Sequence, residues 1–326
     1  MKRSFLATLT VFLFSLAFVE NINAQGTAAY PSKPVTLIIS FAPGGPIDTE
    51  FRLYTAKLLG LLGKPVVMDF KPGAGGTLGP IYVARAKPDG YVLLPLSGSL
   101  TTAPAVTPDL AFDPVKDFAA ISLLNRRDQV IVVYPAFPPK DFKEYLAFAR
   151  ANPRKINMSN SGTGGVGHLA SLWLHNLLKI EVTFVPYKGA GPQMTDLMAG
   201  RLDLSLVAVA AAMPLIKSGK VRPLAVMGKD RSGLMPNVPS VSEAGIDFDY
   251  ANWMGVVAPA GTPGPVISRL NDAFAKMARM PDIAGPMEEL GTVMIGSSAV
   301  EFQKLIATEV ERWKTVVKEN GITVTP

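Results

Sequence analysis

Pro34-Val35-Thr36-Leu37-Ile38-Ile39-Ser40-Phe41-Ala42-Pro43-Gly44-Gly45 decides how this chain folds. An apolar, β-branched run ends in a Gly-rich turn. Asp48, just beyond it, is a natural N-cap for a helix running to about Leu62, where Gly63 and Pro65 stop it. A buried strand that turns a glycine corner into a helix is the unit from which α/β sheets are built. Val66 to Phe70 reads as a second strand. Thr77 to Ala86 is a second helix, stopped by Pro88-Asp89-Gly90, and Tyr91 to Leu96 a third strand. The order β-α-β-α-β predicts a parallel sheet with right-handed crossovers.

Three further corners repeat the design: Lys71-Pro72-Gly73-Ala74-Gly75-Gly76, Asn160-Ser161-Gly162-Thr163-Gly164-Gly165 and Tyr187-Lys188-Gly189-Ala190-Gly191. In an open α/β sheet such corners lie at the carboxyl ends of strands, where backbone N–H groups and helix N-termini favour an anion. Four of them, spread over both halves of the chain, point to a cleft for a small acid. Ile121 to Tyr134 holds two apolar runs split by Asn125-Arg126-Arg127-Asp128-Gln129, which places a first inter-domain crossing there; Ala251 to Ala258 reads as the return. Between them a second series follows: helix Phe142 to Ala151, strand Ile156 to Ser159, helix Val166 to Leu178, strand Val182 to Pro186, helix Pro192 to Ala199, strand Leu202 to Val209, and Val221 to Met227 continuing the sheet. Pro263 to Met280 and Ala299 to Asn320 are amphipathic helices, and Trp313 and Val317, spaced i, i+4, pack on a core.

The N-terminus sets the compartment. Lys2 and Arg3 precede an apolar stretch from Phe5 to Val19, then a polar segment with small Ala24 at a plausible cleavage point. This is the three-part pattern of a secretory signal peptide. About 300 residues remain, enough for two domains. Zero Cys among 326 residues excludes thiol chemistry, Cys-metal sites and disulfide staples. The net charge of +6 falls to +5 without Lys2, Arg3 and Glu20; its cations are scattered, so nucleic acid is not expected as a partner.

Gly162-Thr163-Gly164-Gly165-Val166-Gly167 matches a dinucleotide fingerprint in form. The next strand ends in Val185-Pro186-Tyr187-Lys188, which lacks the acidic residue a ribose requires. The two histidines, His168 and His175, are seven apart, not the i, i+4 of a zincin pair. His168, beside the third corner, reads as a ligand contact or as a structural group. No Ser elbow or Walker loop occurs. The chain reads as a binding protein without cofactor; the alternative is an exported cleft hydrolase acting on a small carboxylic acid derivative.

The motifs Pro43-Gly44-Gly45-x-x-Asp48, Lys71-Pro72-Gly73-Ala74-Gly75-Gly76, Pro88-Asp89-Gly90-Tyr91, Ser161-Gly162-Thr163-Gly164 with His168-Leu169, Val185-Pro186-Tyr187-Lys188-Gly189 and Ala258-Pro259-Ala260-Gly261-Thr262-Pro263 occur in this order along the mature chain. Together they resemble the Bug-type periplasmic solute receptors of tripartite tricarboxylate transporters. The resemblance implies a two-domain periplasmic-binding-protein fold of type II-like α/β architecture, with two crossover strands and a ligand cleft between the domains. It implies domain 1 at 25–125 plus 251–326, domain 2 at 126–250, and a signal peptide at 1–24. It also implies a monomer that delivers a small carboxylate to membrane transporter subunits. The ligand set carried over is Phe41, Ala42, Gly44, Gly45 and Asp48 from the first corner and Ser161, Gly162, Thr163 and Gly164 from the third. Ser97, His168, Tyr187 and Asp203 complete the candidates. Pro46 departs from the family pattern and has no N–H to donate. Arg126 and Arg127 depart from it too, and adjacent strand residues face opposite ways. One of the two, Arg126 or Arg127, is therefore the candidate for a second acid group, as in a dicarboxylate, including an aromatic one such as terephthalate; Arg126 is placed in the ligand set.

Overall fold

The computed structural model describes residues 30–44, 46–73, 76–107, 109–160, 163–187 and 190–322. The signal segment, and Gly45, Ser161 and Gly162 of the candidate set, lie outside the described residues. The first half-sheet is parallel, as its β-α-β-α-β order predicts. Strand β1 (Val35–Ile39) pairs with β2 (Val66–Phe70) and β3 (Val92–Ser97). Helix α1 (Pro46–Leu62) and helix α2 (Leu78–Ala84) make the crossovers. A helix the sequence reading passed over, α3 (Gly98–Val106), follows β3 directly.

Strand β4 (Phe118–Val133) is one unbroken element of 16 residues. Its polar centre is the place where it changes partners. Phe118 to Asp128 pairs antiparallel with β9 (Ala251–Pro259), whereas Gln129 to Val133 pairs with β7 (Leu204–Ala208). The second half continues through α4 (Phe142–Ala151), β5 (Asn157–Asn160), α5 (Val166–Leu178), β6 (Thr183–Pro186), α6 (Ala190–Met198), α7 (Val209–Lys217) and β8 (Arg222–Val226). Among the described residues the main path of the sheet runs β2-β1-β3-β9-β4-β7-β5-β6, so β4 and β9 join its halves. Helices α8 (Gly264–Ala278) and α9 (Pro281–Glu289), short strand β10 (Val293–Met294) and helix α10 (Ala299–Glu319) close the chain.

Helix α10 buries Phe302 and Ile306 against the first half, and Trp313 and Val316 in the core of the second. Trp313 thus packs on a core, as its spacing requires. That core also holds His175. Its Nδ1 lies 2.6 Å from the Ser171 carbonyl and must carry the proton, so Nε2 accepts from the Tyr145 hydroxyl at 2.7 Å. Burial pushes the imidazole down to about 4. A depressed folded pKa means the stabilisation is complete above the ordinary value of 6.5 and is lost as pH falls from there toward 4. At ~1.4 kcal/mol per pH unit, the loss reaches roughly 3 kcal/mol at pH 4. His168, lowered by its own burial, adds the same sign. Thermal unfolding followed from pH 8 to pH 4 should show a plateau and then a decline starting near 6.5, with a shallower decline in His175→Gln.

Candidate functional site

The strand registers define the cleft. Strand β3 ends at Ser97, opposite Met254 of β9, and Met254 is opposite Asn125 of β4. Strand β7 runs the other way along β4 and ends at Ala208, opposite Gln129. The carboxyl ends of the two half-sheets therefore face one another across the stretch from Asn125 to Gln129. Four strand residues at ~3.3 Å each separate them by about 13 Å. This is the position at which open α/β sheets bind ligands, and its width suits a small molecule.

Each half brings two glycine corners to this edge. In the first half, the Phe41 ring covers Gly76, where an added Cβ would come within 2.8 Å of it, and the start of α2 is pressed against Ser40 at Gly79. In the second, Tyr187 N donates to the Asn160 carbonyl at 2.9 Å, which ties together the strand ends that lead into corners three and four. Tyr187 in turn donates its hydroxyl to Asp196 at 2.7 Å.

Two candidate side chains shape their corners from within. Gly44, at φ 86°, donates its N–H to Asp48 at 2.7 Å, and Gly164, at φ 76°, donates its N–H to His168 Nδ1 at 3.1 Å. In both cases the acceptor stands four residues on, in the first turn of the following helix. In the structure Asp48 and His168 thus hold the amides of Gly44 and Gly164, and each pair shapes its own corner. The Gly44 N–H, with Arg52 behind it, holds the Asp48 carboxyl below its usual range. The N-terminus of α1 thus already carries an anion, whereas the first turn of α5 has no acidic residue. Thr163 and Gly165 there are exposed.

Arg126 already has an acidic partner. Its guanidinium fork grips Asp249, with Nη2 2.8 Å from Oδ1 and Nη1 3.3 Å from Oδ2. Burial alone would raise the Asp249 carboxyl, but the fork holds it low. Arg127 faces the other way, as alternation requires, onto Glu50 and onto Thr292 Oγ1 at 2.8 Å. Each arginine is thus paired with a carboxylate of the protein itself. Asp203 stands at the start of β7, the end remote from the crossing, and accepts from Asn157 N at 2.7 Å. Strand direction places it away from the cleft.

The crossing carries polar groups that the candidate set omitted. A cavity of about 270 Å³ lies there, walled by Gln129, Gln193, Asn252, Met194, Leu206 and Ala208. It abuts α5, since a Cβ on Gly167 would sit 3.9 Å from Leu206 Cδ2. Gln129 lies in the polar break that marked the crossing, which was the available signal. Asn252 lies in the stretch read as the return crossing, and Gln193 had no such signal.

Residues 51–322 match the family described as tripartite tricarboxylate transporter family receptor. The chain belongs to that family. A protein of Agrobacterium vitis encoded in the TAR-I ttuE-ttuC' intergenic region is 36% identical over 302 residues, covering 91% of this chain and 87% of that protein. Among solved structures, MatC of Rhodopseudomonas palustris with bound malate is 34% identical and superposes with a TM-score of 0.68, over 88% of this chain and 100% of that one. An R. palustris protein solved with adipate is 31% identical, with a TM-score of 0.71 over 90% of this chain and 99% of that one. Proteins named Bug are among the relatives, which bears out the resemblance read from the motifs. The receptor is thus a periplasmic solute-binding protein with the two-domain fold of its family, working with membrane transporter components, and the hydrolase alternative is set aside. No helix of the described residues is long and apolar enough to cross a membrane.

Proposed function

We propose that the receptor binds a small carboxylate between its halves and hands it to the membrane components as a monomer. In this reading residues 1–24 are removed near Ala24, 25–125 with 251–326 form one domain, and 126–250 form the other. The observation that carries the reading is the convergence of both sets of strand ends on the Asn125 to Gln129 crossing, with a cavity in the gap. The carboxylate belongs at the third corner. There the N-terminus of α5 offers partial positive charge with no acidic side chain in its first turn, unlike α1 with its Asp48.

The dicarboxylate expectation keeps the support of the two R. palustris neighbours, whose ligands, malate and adipate, are both diacids. In this reading Arg126, paired with Asp249, would have to share its guanidinium to meet the second acid group. An aromatic diacid such as terephthalate would place its ring near Phe41 or Tyr187, at the same edge.

Calorimetric titration with a panel of C3 to C6 mono- and dicarboxylates should give saturable binding of at least one acid, recovered chemically unchanged. Thr163→Ala should weaken every acid that binds by ~1.5–3 kcal/mol, the range for one hydrogen bond to a charged group. Undiminished affinity in Thr163→Ala would move the carboxylate away from this corner. Turnover of any acid derivative would overturn the receptor reading itself.

A further inference from the structure

A groove of about 570 Å³ lies on the first half of the receptor, outside the cleft, along the outer face of α2. Leu78, Ile81, Tyr82 and Arg85 follow one another at helical spacing and so share that face. The facing wall holds Lys33, two residues before β1, and Tyr91, directly before β3. These positions are the amino ends of the strands, whereas the cleft lies at their carboxyl ends.

The floor of the groove is apolar and open, with Leu78 45% and Tyr82 47% exposed. Its charge is one-sided: Lys33, Arg85 and Lys87 stand against Asp89. Asp89 is committed to its own turn, where it accepts from Tyr91 N at 3.1 Å. Among the described residues none of the three cations has an acidic partner, whereas Arg126, Arg127 and Arg231 each hold one. Lys33 is also held in place, its ammonium 4.4 Å from the centre of the Tyr91 ring. Lys71 lies at the same distance over Tyr82, although it is paired with Asp69 as well. A ring orders a cation without neutralising it, so less freedom is lost when a carboxylate arrives.

We propose that the receptor docks through this groove on its membrane components, and that the occupant is an acidic, extended segment of one of them. Leu78 to Arg85 spans about 10 Å at 1.5 Å per residue, room for roughly three extended residues. Carboxylates of the segment meet Lys33, Arg85 and Lys87, and an apolar side chain between them covers Leu78 and Tyr82. An apolar centre rimmed by charge that lacks a partner is the pattern of a specific, electrostatically steered interface. An anionic bilayer fits less well, because it is flat and the floor is recessed. Every wall residue belongs to the first half, so the groove does not depend on which acid the cleft holds.

The test measures binding of the mature receptor to its purified membrane components in nanodiscs of neutral lipid. Lys33→Glu, Arg85→Glu and Lys87→Glu combined should weaken binding at least about tenfold. Lys33→Gln, Arg85→Gln and Lys87→Gln combined should give an intermediate loss, and they carry the test if the reversed triple fails to fold. Lys155→Glu, Lys217→Glu and Lys220→Glu make the same charge change on exposed lysines of the second half. That control should stay within about threefold of the parent, the effect of net charge alone. Unchanged affinity in a folded groove variant, an equal loss in the control, or no binding by the parent overturns the proposal. Binding of the parent to protein-free nanodiscs containing phosphatidylglycerol, lost to the same extent in the groove variants, assigns the groove to lipid and overturns it. A parent dimer that the groove variants dissociate in sedimentation assigns it to a second copy of the chain and overturns it too.

Discussion

Glu50→Ala is expected to destabilise the receptor by about 3 kcal/mol and to loosen the joint between its halves. Glu50 is 4% exposed on α1 and accepts from three partners. Tyr54, one turn on, donates its hydroxyl at 2.8 Å, and Asn125 Nδ2 and Arg127 Nη2 donate from the crossing strand. Burial first, and then the neighbouring carboxylate, keep the Tyr54 phenol protonated far above its ordinary range, so it remains a donor at any working pH. Arg127 continues the network to Thr292 beside β10. Removing the acceptor takes the charged partner from Tyr54, Asn125 and Arg127, leaving Asn125 Nδ2 the Tyr54 oxygen at 3.2 Å, Tyr54 only a weak contact with the Met294 sulfur at 3.6 Å, and Arg127 the Thr292 hydroxyl. Breaking a fully buried pair costs ~3–5 kcal/mol; Arg127 is 31% exposed, and water partly compensates it, which places the value at the lower end. Glu50→Gln should cost less, because its Oε1 still serves Tyr54 or Asn125. Urea unfolding of the three proteins checks the order. A loss below about 1 kcal/mol in Glu50→Ala would show that the network contributes little.

The same network shows where the sequence was readable and where it was not. Apolar runs broken by Gly and Pro gave the order of strands and helices, since a strand buried on both faces is a continuous apolar run and glycine is needed where φ is positive, as at Gly44 and Gly164. The polar break at residues 125–129 marked the crossing, and alternation placed Arg126 and Arg127 on opposite faces. Their partners were not readable: Asp249 and Glu50 are 123 and 77 residues away, and nothing local singles them out. Helix α7 was hidden because Leu202 to Ile216 is nearly all apolar, and periodicity cannot separate a buried helix from a strand. Helix α3, buried over much of its surface and carrying Pro104, has no polar face to betray it. Helix α9 contains Pro281, Gly285 and Pro286, which read as breakers. The corners were legible as chain turns. That Asp48 and His168 would turn inward onto Gly44 and Gly164 depended on a four-residue spacing whose meaning only the folded corner displays.

Gly255→Ala is expected to cost about 3 kcal/mol, and Gly255→Val to prevent folding, although Gly255 sits mid-strand at a negative φ where any residue's backbone is comfortable. The obstacle is space. Gly255 lies on β9 between Leu96 of β3 and Leu123 of β4, in the middle of the strand that joins the two halves. An added Cβ would stand 2.2 Å from Phe302 Cζ, 2.5 Å from Cε1 and 2.8 Å from the Ser122 carbonyl oxygen. The Ser122 carbonyl is backbone of β4 and cannot withdraw without disturbing the β4–β9 ladder. Phe302 cannot swing aside, because it is fully buried, with its ring edge-on to Trp253 at 5.4 Å. Its helix is anchored just upstream by the reciprocal cap of Ser298 and Glu301. Overpacking a rigid core costs ~1–3 kcal/mol per added group; with both neighbours fixed, the upper end applies to one methyl, and two further methyls exceed what the sheet can absorb. If the ring is the main obstacle, Phe302→Leu should be harmful alone yet recover part of the loss when combined with Gly255→Ala, a coupling that a double-mutant cycle in urea would measure at ~1 kcal/mol or more. Strict additivity of the two substitutions would instead place the clash at the Ser122 carbonyl, and a Gly255→Ala protein as stable as the parent would show that β9 has room to shift.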